Sequence, residues 1–138
     1  MTPKKVHTLS TPDAAYIAGI IDGEGTVTLT RKHKNENRQL VVSISSNERN
    51  ILEFVLIKTG VGKITTKKTY QAHHQAAFAY AITNRQALNL LEQIFPYLQS
   101  YKKTRAELVL NNYIKLTPRN GKYTDELIRK RTEFEETF

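Results

Sequence analysis

The sequence predicts an α+β domain built on an antiparallel sheet, and three observations predict that class. A capped, apolar helix opens the chain; the hydrophobic period then drops to strict alternation at Thr26; and the alternating runs come in two pairs, each followed by a helical stretch. At 138 residues the chain makes one domain with one core and is too short for two.

The opening helix is announced by Ser10-Thr11-Pro12-Asp13, where a hydroxyl N-cap, a first-turn proline and an acid near the positive end of the helix dipole coincide. Its interior from Ala14 to Gly25 is small and apolar nearly all round, which describes a buried helix rather than one lying on a surface. Gly25 supplies the stop. Beyond it Thr26, Thr28, Thr30 and Lys32 alternate with Val27, Leu29 and Arg31, the pattern of a strand with one wet face. Lys34-Asn35-Glu36-Asn37 turns the chain, and Gln39, Val41, Ser43 and Ser45 alternate with Leu40, Val42, Ile44 and Ser46 to complete a hairpin. A helix is expected from about Asn47 to Lys58, with Gly60 beyond its end.

The second half repeats this order. Lys63, Thr65 and Lys67 alternate with Ile64 and Thr66, a His-rich turn follows, and Ala77 to Ile82 forms a partner strand whose facing alternation alone leaves open. Asn84 is expected to cap a helix carrying Ala87, Leu88, Leu91, Ile94 and Phe95, which Pro96 closes or kinks. Two last helices, about 102–116 and 123–137, flank the breaker Thr117-Pro118-Arg119-Asn120-Gly121. With Leu127, Ile128 and Phe134 at near-helical spacing, the closing helix, within 122–138, is expected to pack on the outside of a core formed by about residues 9–116.

Charge narrows the function. Lys and Arg number 21 against 13 Asp and Glu, a net charge of +8 and a pI near 9.7, which favours a polyanionic partner and nucleic acid above all. Residues 26–69 hold nine bases and three acids, whereas residues 123–138 hold three bases and five acids, so the middle of the chain is the expected contact region and the tail is not. The absence of cysteine excludes disulfides, thiolate metal sites and a cysteine nucleophile. No apolar run nears the ~18 residues that span a bilayer, and Met1 to Ser10 is polar, so the expected location is intracellular, with no membrane partner.

Within the first helix Ala15, Gly19 and Gly23 recur every four residues, a small-residue stripe along which another backbone can approach closely. Packing inside one chain and packing against a second chain both fit that spacing. Asp22 and Glu24 sit at the helix C-terminus, where the dipole disfavours anions, so they need an offsetting cation or solvent. His73 and His74 are set aside as metal ligands, because adjacent strand residues point to opposite faces and no acid lies near them in sequence.

Ile17-Ala18-Gly19-Ile20-Ile21-Asp22-Gly23-Glu24-Gly25 resembles the nine-residue signature of the LAGLIDADG homing endonucleases, identical or conservatively exchanged at seven positions, with Gly at 23 and Glu at 24 as the exchanges. The order of elements read above is also that family's αββαββα order, over about residues 9–116. The resemblance implies a saddle-shaped antiparallel sheet that binds duplex DNA. It further implies a homodimer, since single-signature members pair through the signature helix; Ala15, Gly19, Asp22 and Gly23 are the expected interface. Glu24 and its symmetry mate would then crowd together, held ionised by a divalent cation that also takes the Gly23 carbonyl. Oxygen ligands suit Mg²⁺, with Mn²⁺ possible and Ca²⁺ able to bind without supporting cleavage. The implied reaction is metal-dependent phosphodiester hydrolysis, one strand per active site, making a double-strand break in a long, pseudo-palindromic target and so promoting intron mobility.

The family also places a lysine between Pro96-Tyr97-Leu98 and Leu108-Val109-Leu110; a one-residue length difference makes Lys102 the first candidate and Lys103 the second, either to stabilise charge or to position water. At the end of the second strand, where relatives carry a water-ordering polar residue, Ser46 and Arg49 are the catalytic candidates. Thr28, Thr30, Lys32, Lys34, Gln39, Val41, Ser43, Lys63, Thr65 and Lys67 fall on one face of the two hairpins, and a two-stranded ribbon fits a major groove. Arg31, Arg38 and Lys68 are expected on phosphates. The competing readings are an RNA-binding intron maturase and a catalytically silent DNA-binding protein of the same fold; retained Glu24 and Lys102 argue against a purely binding role.

Overall fold

The structure is a computed structural model that describes residues 5–30, 38–67, 77–116 and 124–137. Lys32, Lys34, Arg31, Lys68, His73, His74 and the breaker at 117–121 lie outside the described residues. The elements among these residues are, in order, α1 (Thr11–Glu24), β1 (Gly25–Thr30), β2 (Gln39–Ser46), α2 (Arg49–Thr59), β3 (Lys63–Lys67), β4 (Ala77–Thr83), α3 (Asn84–Ile94), a 3-10 turn (Phe95–Tyr97), α4 (Lys102–Leu116) and α5 (Asp125–Thr137).

The termini of the helices explain most of these boundaries. Ser10 caps α1 by accepting from the Asp13 N–H at 3.2 Å, as the sequence predicts. Helix passes into strand without a loop at Gly25, because a Cβ there would stand 2.8 Å from the Ile21 Cα and 3.1 Å from the Ser43 carbonyl oxygen. Only glycine lets β1 leave the helix that close to β2. The second helix starts at Arg49, not Asn47: the Ser46 hydroxyl accepts from the Glu48 N–H at 2.9 Å, holding a turn between strand and helix. It ends at Gly60, whose φ of 73° is the left-handed cap that glycine adopts without strain. Asn84 does not cap α3. It is the first helical residue, at φ 55°, and its Oδ1 accepts from the Tyr113 hydroxyl at 3.1 Å; Thr83 takes the N-cap position.

The sheet has the order β1-β2-β4-β3 and is antiparallel throughout, so the two hairpins meet through their inner strands, with Ile44 opposite Tyr80. One face is buried: Val27, Leu29, Leu40, Val42, Ile44, Tyr80 and Ile82 are all shielded from solvent. Against it pack α1 and α3 on β2, α2 on β4, and α4 on β1. This settles the facing of β4. Tyr80 and Ile82 point into the core, while Ala77, Ala79 and Ala81 share the outer face with their partners Lys67, Thr65 and Lys63. The closing helix buries Phe134 but leaves Ile128 48% exposed, and the most deeply buried residue it contributes is charged: Arg131, at 1%.

Candidate functional site

The C-terminal end of α1 and the N-terminal end of α4 are built into each other. Helix α1 ends with carbonyls that retain acceptor capacity and a partial negative charge, and Lys102, the first residue of α4, meets both. Its Nζ donates to the Ile21 carbonyl at 2.7 Å and to the Asp22 carbonyl at 2.9 Å, and the residue is only 6% exposed. In return Asp22 caps the entry to α4. Its Oδ2 accepts from the Gln99 N–H at 2.8 Å, and its Oδ1 accepts from the Ser100 N–H at 3.0 Å and from the Ser100 hydroxyl at 2.5 Å. Burial raises the Asp22 pKa, but the hydrogen bonds from Ser100 and Gln99 and the nearby Lys102 charge outweigh it and hold the carboxyl below its ordinary value.

These contacts bear on two residues singled out in the sequence. Asp22, grouped with the dimer face, has its carboxylate committed within its own chain. Lys102 rather than Lys103 reaches the end of α1; the Lys103 ammonium instead lies 5.2 Å from the Phe95 ring centroid. Two of the three Lys102 donors are spent on the helix end, which makes Lys102 first of all the residue that fixes where Glu24 stands.

Glu24 itself is exposed, one turn beyond the Lys102 cap. It lines an open groove of about 470 Å³ together with Ala15, Tyr16, Gly19, Ile20, Gly23 and Ile51. The stripe residues Ala15, Gly19 and Gly23 are all exposed, and a Cβ built at Gly19 or Gly23 would meet nothing within 4 Å. Tyr16, 52% exposed, stands beside the groove and packs edge-on against Phe54 at 5.2 Å. The expectation of a helix buried all round therefore holds for one side only: Ala14, Ile17, Ala18 and Ile21 are buried, and the small-residue side is open.

The outer face of the sheet carries the residues that alternation assigns to it. Thr28 lies opposite Val41 and Thr30 opposite Gln39, while the Thr26 hydroxyl lies 2.7 Å from that of Ser43. Lys63 and Thr65 line the other edge, Lys67 continues the backbone pairing of that strand opposite Ala77, and the alanines of β4 make a shallow floor between the two polar sides. That floor is the feature alternation did not decide. Arg105 on α4 donates to the Val27 carbonyl at 2.9 Å, closing part of the free edge of β1. Ser46 and Arg49 stand where β2 passes into α2. Ser46 serves the turn into α2; Arg49 pairs with Glu53 at 2.9 Å and its guanidinium lies 5.3 Å from the Phe78 ring centroid. Neither is hydrogen-bonded to Glu24 among the described residues.

No group of three or more His, Asp or Glu side chains able to hold a metal ion occurs among the described residues. The donors at the end of α1 are the Glu24 carboxylate and, next in line after the two carbonyls taken by Lys102, the carbonyl of Gly23. They are hard oxygen ligands suited to Mg²⁺ or Ca²⁺, but too few in one chain. Likewise no described helix is long and apolar enough to cross a membrane.

A family model described as LAGLIDADG endonuclease matches residues 17–124. No curated protein sequence matches the chain. Among solved structures, the homing endonuclease I-CvuI in complex with its target superposes with a TM-score of 0.72 at 17% identity, over 93% of this chain and 82% of that one. The group I intron-encoded homing endonuclease I-CeuI, complexed with DNA, gives 0.62 at 17% identity, over 97% and 69%. The meganuclease I-AabMI, bound to uncleaved DNA, gives 0.67 at 26% identity, over 88% of this chain but 43% of that longer one. With its signature on α1, the αββαββα order and a match over most of its length, this chain belongs to the LAGLIDADG endonuclease family.

Proposed function

We propose that the protein is a site-specific homing endonuclease that acts as a homodimer on a long, roughly palindromic DNA target and cuts each strand at one active site. The observation that carries this reading is the end of α1: an exposed carboxylate, Glu24, just beyond the helix end that Lys102 caps, set beside a glycine stripe that no described residue covers. Glycine inside a helix costs about 1 kcal/mol relative to alanine. With no neighbour among the described residues requiring glycine at 19 or 23, a second α1 lying along the stripe supplies the reason, and it brings two Glu24 carboxylates together.

Two carboxylates and two Gly23 carbonyls form an oxygen donor set that a single chain lacks, suited to Mg²⁺ or Mn²⁺. I-CvuI has been crystallised with DNA in the presence of Ca and, with the DNA not cleaved, of Mg, which supports a divalent ion as the cofactor here. A divalent ion held there supplies charge neutralisation at the scissile phosphate and a more acidic water. This chain's residues do the rest. Glu24 orients the reacting centre, Lys102 holds the helix end that carries it, and the outer face of the sheet binds the duplex. Thr28, Thr30, Gln39 and Ser43 offer hydroxyls and an amide to base edges on one side, with Lys63, Thr65 and Lys67 on the other. The +8 charge supports affinity for the backbone, which falls steeply as salt rises.

The test is cleavage of the intron-less host locus as a linear duplex, with Mg²⁺ or with EDTA, by the wild type and by Glu24→Gln. Cutting of both strands at one position, dependent on metal and reduced about a thousandfold or more by Glu24→Gln while binding persists, is the expected result. Binding without cutting under every divalent ion would contradict the enzyme reading and favour a role in RNA splicing.

A further inference from the structure

Helix α5 looks like an appendage, yet it holds the backbone of one residue at both ends. Arg38 directly precedes β2, and its N–H donates to Glu135 Oε1 at 2.6 Å while its carbonyl accepts from Arg131 Nη2 at 2.5 Å. Arg131 and Glu135 are one helical turn apart, with Nε and Oε1 separated by 3.7 Å. The arginine side chain is 1% exposed, the glutamate 11%, and the guanidinium lies 4.9 Å from the ring centroid of Tyr113 on α4.

Stability alone is a poor reason to bury such a pair. Removing two charges from water is expensive, and apolar residues of similar volume usually stabilise as well or better. What apolar residues cannot do is fix a strand end by its N–H and its carbonyl at once. The clamped residue is adjacent to Gln39, the first residue of β2, which pairs with Thr30, the last residue of β1, on the outer face.

We infer that Arg131 and Glu135 are positioning residues for DNA recognition, setting the height and register at which the Thr30–Gln39 end of the first hairpin meets the duplex. This rests on the reading of the outer face as the DNA-binding surface. The clamp is local, so its loss acts on base pairs read from that end and spares those under β3. It acts before chemistry, so its loss appears in KM or binding rather than in kcat.

The experiment measures cleavage of a set of duplexes, each carrying one substituted base pair, by the full-length wild type, Arg131→Met, Arg131→Lys and Glu135→Leu. Positions read from each side of the sheet are identified by Gln39→Ala and Thr65→Ala. We expect Arg131→Met and Glu135→Leu to lose about tenfold in discrimination at the Gln39 positions and less than about twofold at the Thr65 positions. We expect Arg131→Met combined with Gln39→Ala to lose little more than either alone. Arg131→Lys, which keeps one donor for the Arg38 carbonyl, recovers part of the loss. If Arg131→Met fails to fold, Glu135→Leu alone carries the comparison, with amide exchange at Arg38 in the free protein expected to rise sharply. Equal losses at both sets of positions, or none, overturn the proposal. A wild type that binds no duplex overturns both it and the reading beneath it.

Discussion

The two sides of α1 are made from the same small and apolar residue types and have opposite fates. Ala14, Ile17, Ala18 and Ile21 are buried against the sheet and α3, whereas Ala15, Gly19 and Gly23 line an open groove in which an added Cβ meets nothing. One side closes a core; the other is left open by the described residues, and it is this side that the proposed dimer would cover. The contrast shows why composition around a helix announces burial without naming what buries it.

Substitutions on the two sides test that contrast most strongly. Ile17→Ala should cost about 2–5 kcal/mol of folding stability, because a fully buried side chain leaves a cavity. Gly19→Leu should leave the isolated fold intact within about 1 kcal/mol, since leucine favours helix and its Cβ enters an open groove, yet weaken self-association at least a hundredfold by blocking close approach of two helices. Sedimentation of the two variants beside their unfolding curves separates these effects. An unfolded Gly19→Leu, or one that still dimerises fully, would break the comparison.

The two ends of the helix make a smaller contrast. Ser10 caps the N-terminus with a hydroxyl at the surface, while the C-terminus is held by a buried ammonium and answers with Asp22. Lys102→Met removes two charge-assisted hydrogen bonds and should destabilise the fold by about 2–3 kcal/mol, read by thermal unfolding. It should also slow cleavage about 10- to 100-fold, an effect on Glu24 placement that leaves DNA binding close to the wild type.

Asp22→Asn gives the smallest expected effect, and it depends on pH. The folded carboxyl titrates below the ordinary value of 3.8, so its stabilisation is complete above that value and is lost as pH falls through the lower folded one. At pH 7 the variant should therefore unfold more easily, by about 1–2 kcal/mol. Below pH 3.8 the two proteins should converge. A gap that persists or widens in acid would show that the carboxylate does not cap α4 as described.

Much of this architecture was legible in the residue pattern because local physics fixed it. The cap at Ser10, the drop to alternation at Thr26 and the left-handed stop at Gly60 each act within a few residues. What stayed hidden depends on distant partners. Nothing in the Ala77–Thr83 run decides which alanines face out until Tyr80 meets Thr59 and the Val61 carbonyl in the core, where the Tyr80 hydroxyl donates at 2.7 Å. Asp22 reads as an interface acid until Gln99 and Ser100, far along the chain, are seen to claim it. Arg131 sits among solvated charges in the sequence, and only the fold turns it inward onto Arg38. The acids at the C-terminus of α1 were the sequence signal that an offsetting charge was needed there; the fold brings the Lys102 ammonium to the helix end and the Gln99 and Ser100 donors to the Asp22 carboxylate.

The account's central claim is that two copies of α1 join to make one cutting device with one Glu24 per strand. Mixing wild-type and Glu24→Gln chains in varying proportion, then following cleavage of a supercoiled plasmid carrying the target, tests it most directly. Mixed dimers should nick the plasmid, with nicked circles peaking near equal proportions while the wild type alone yields linear product. Linear product that merely declines in proportion to the wild-type fraction, with no rise in nicked circles, would mean that each chain cuts both strands by itself and would contradict the account.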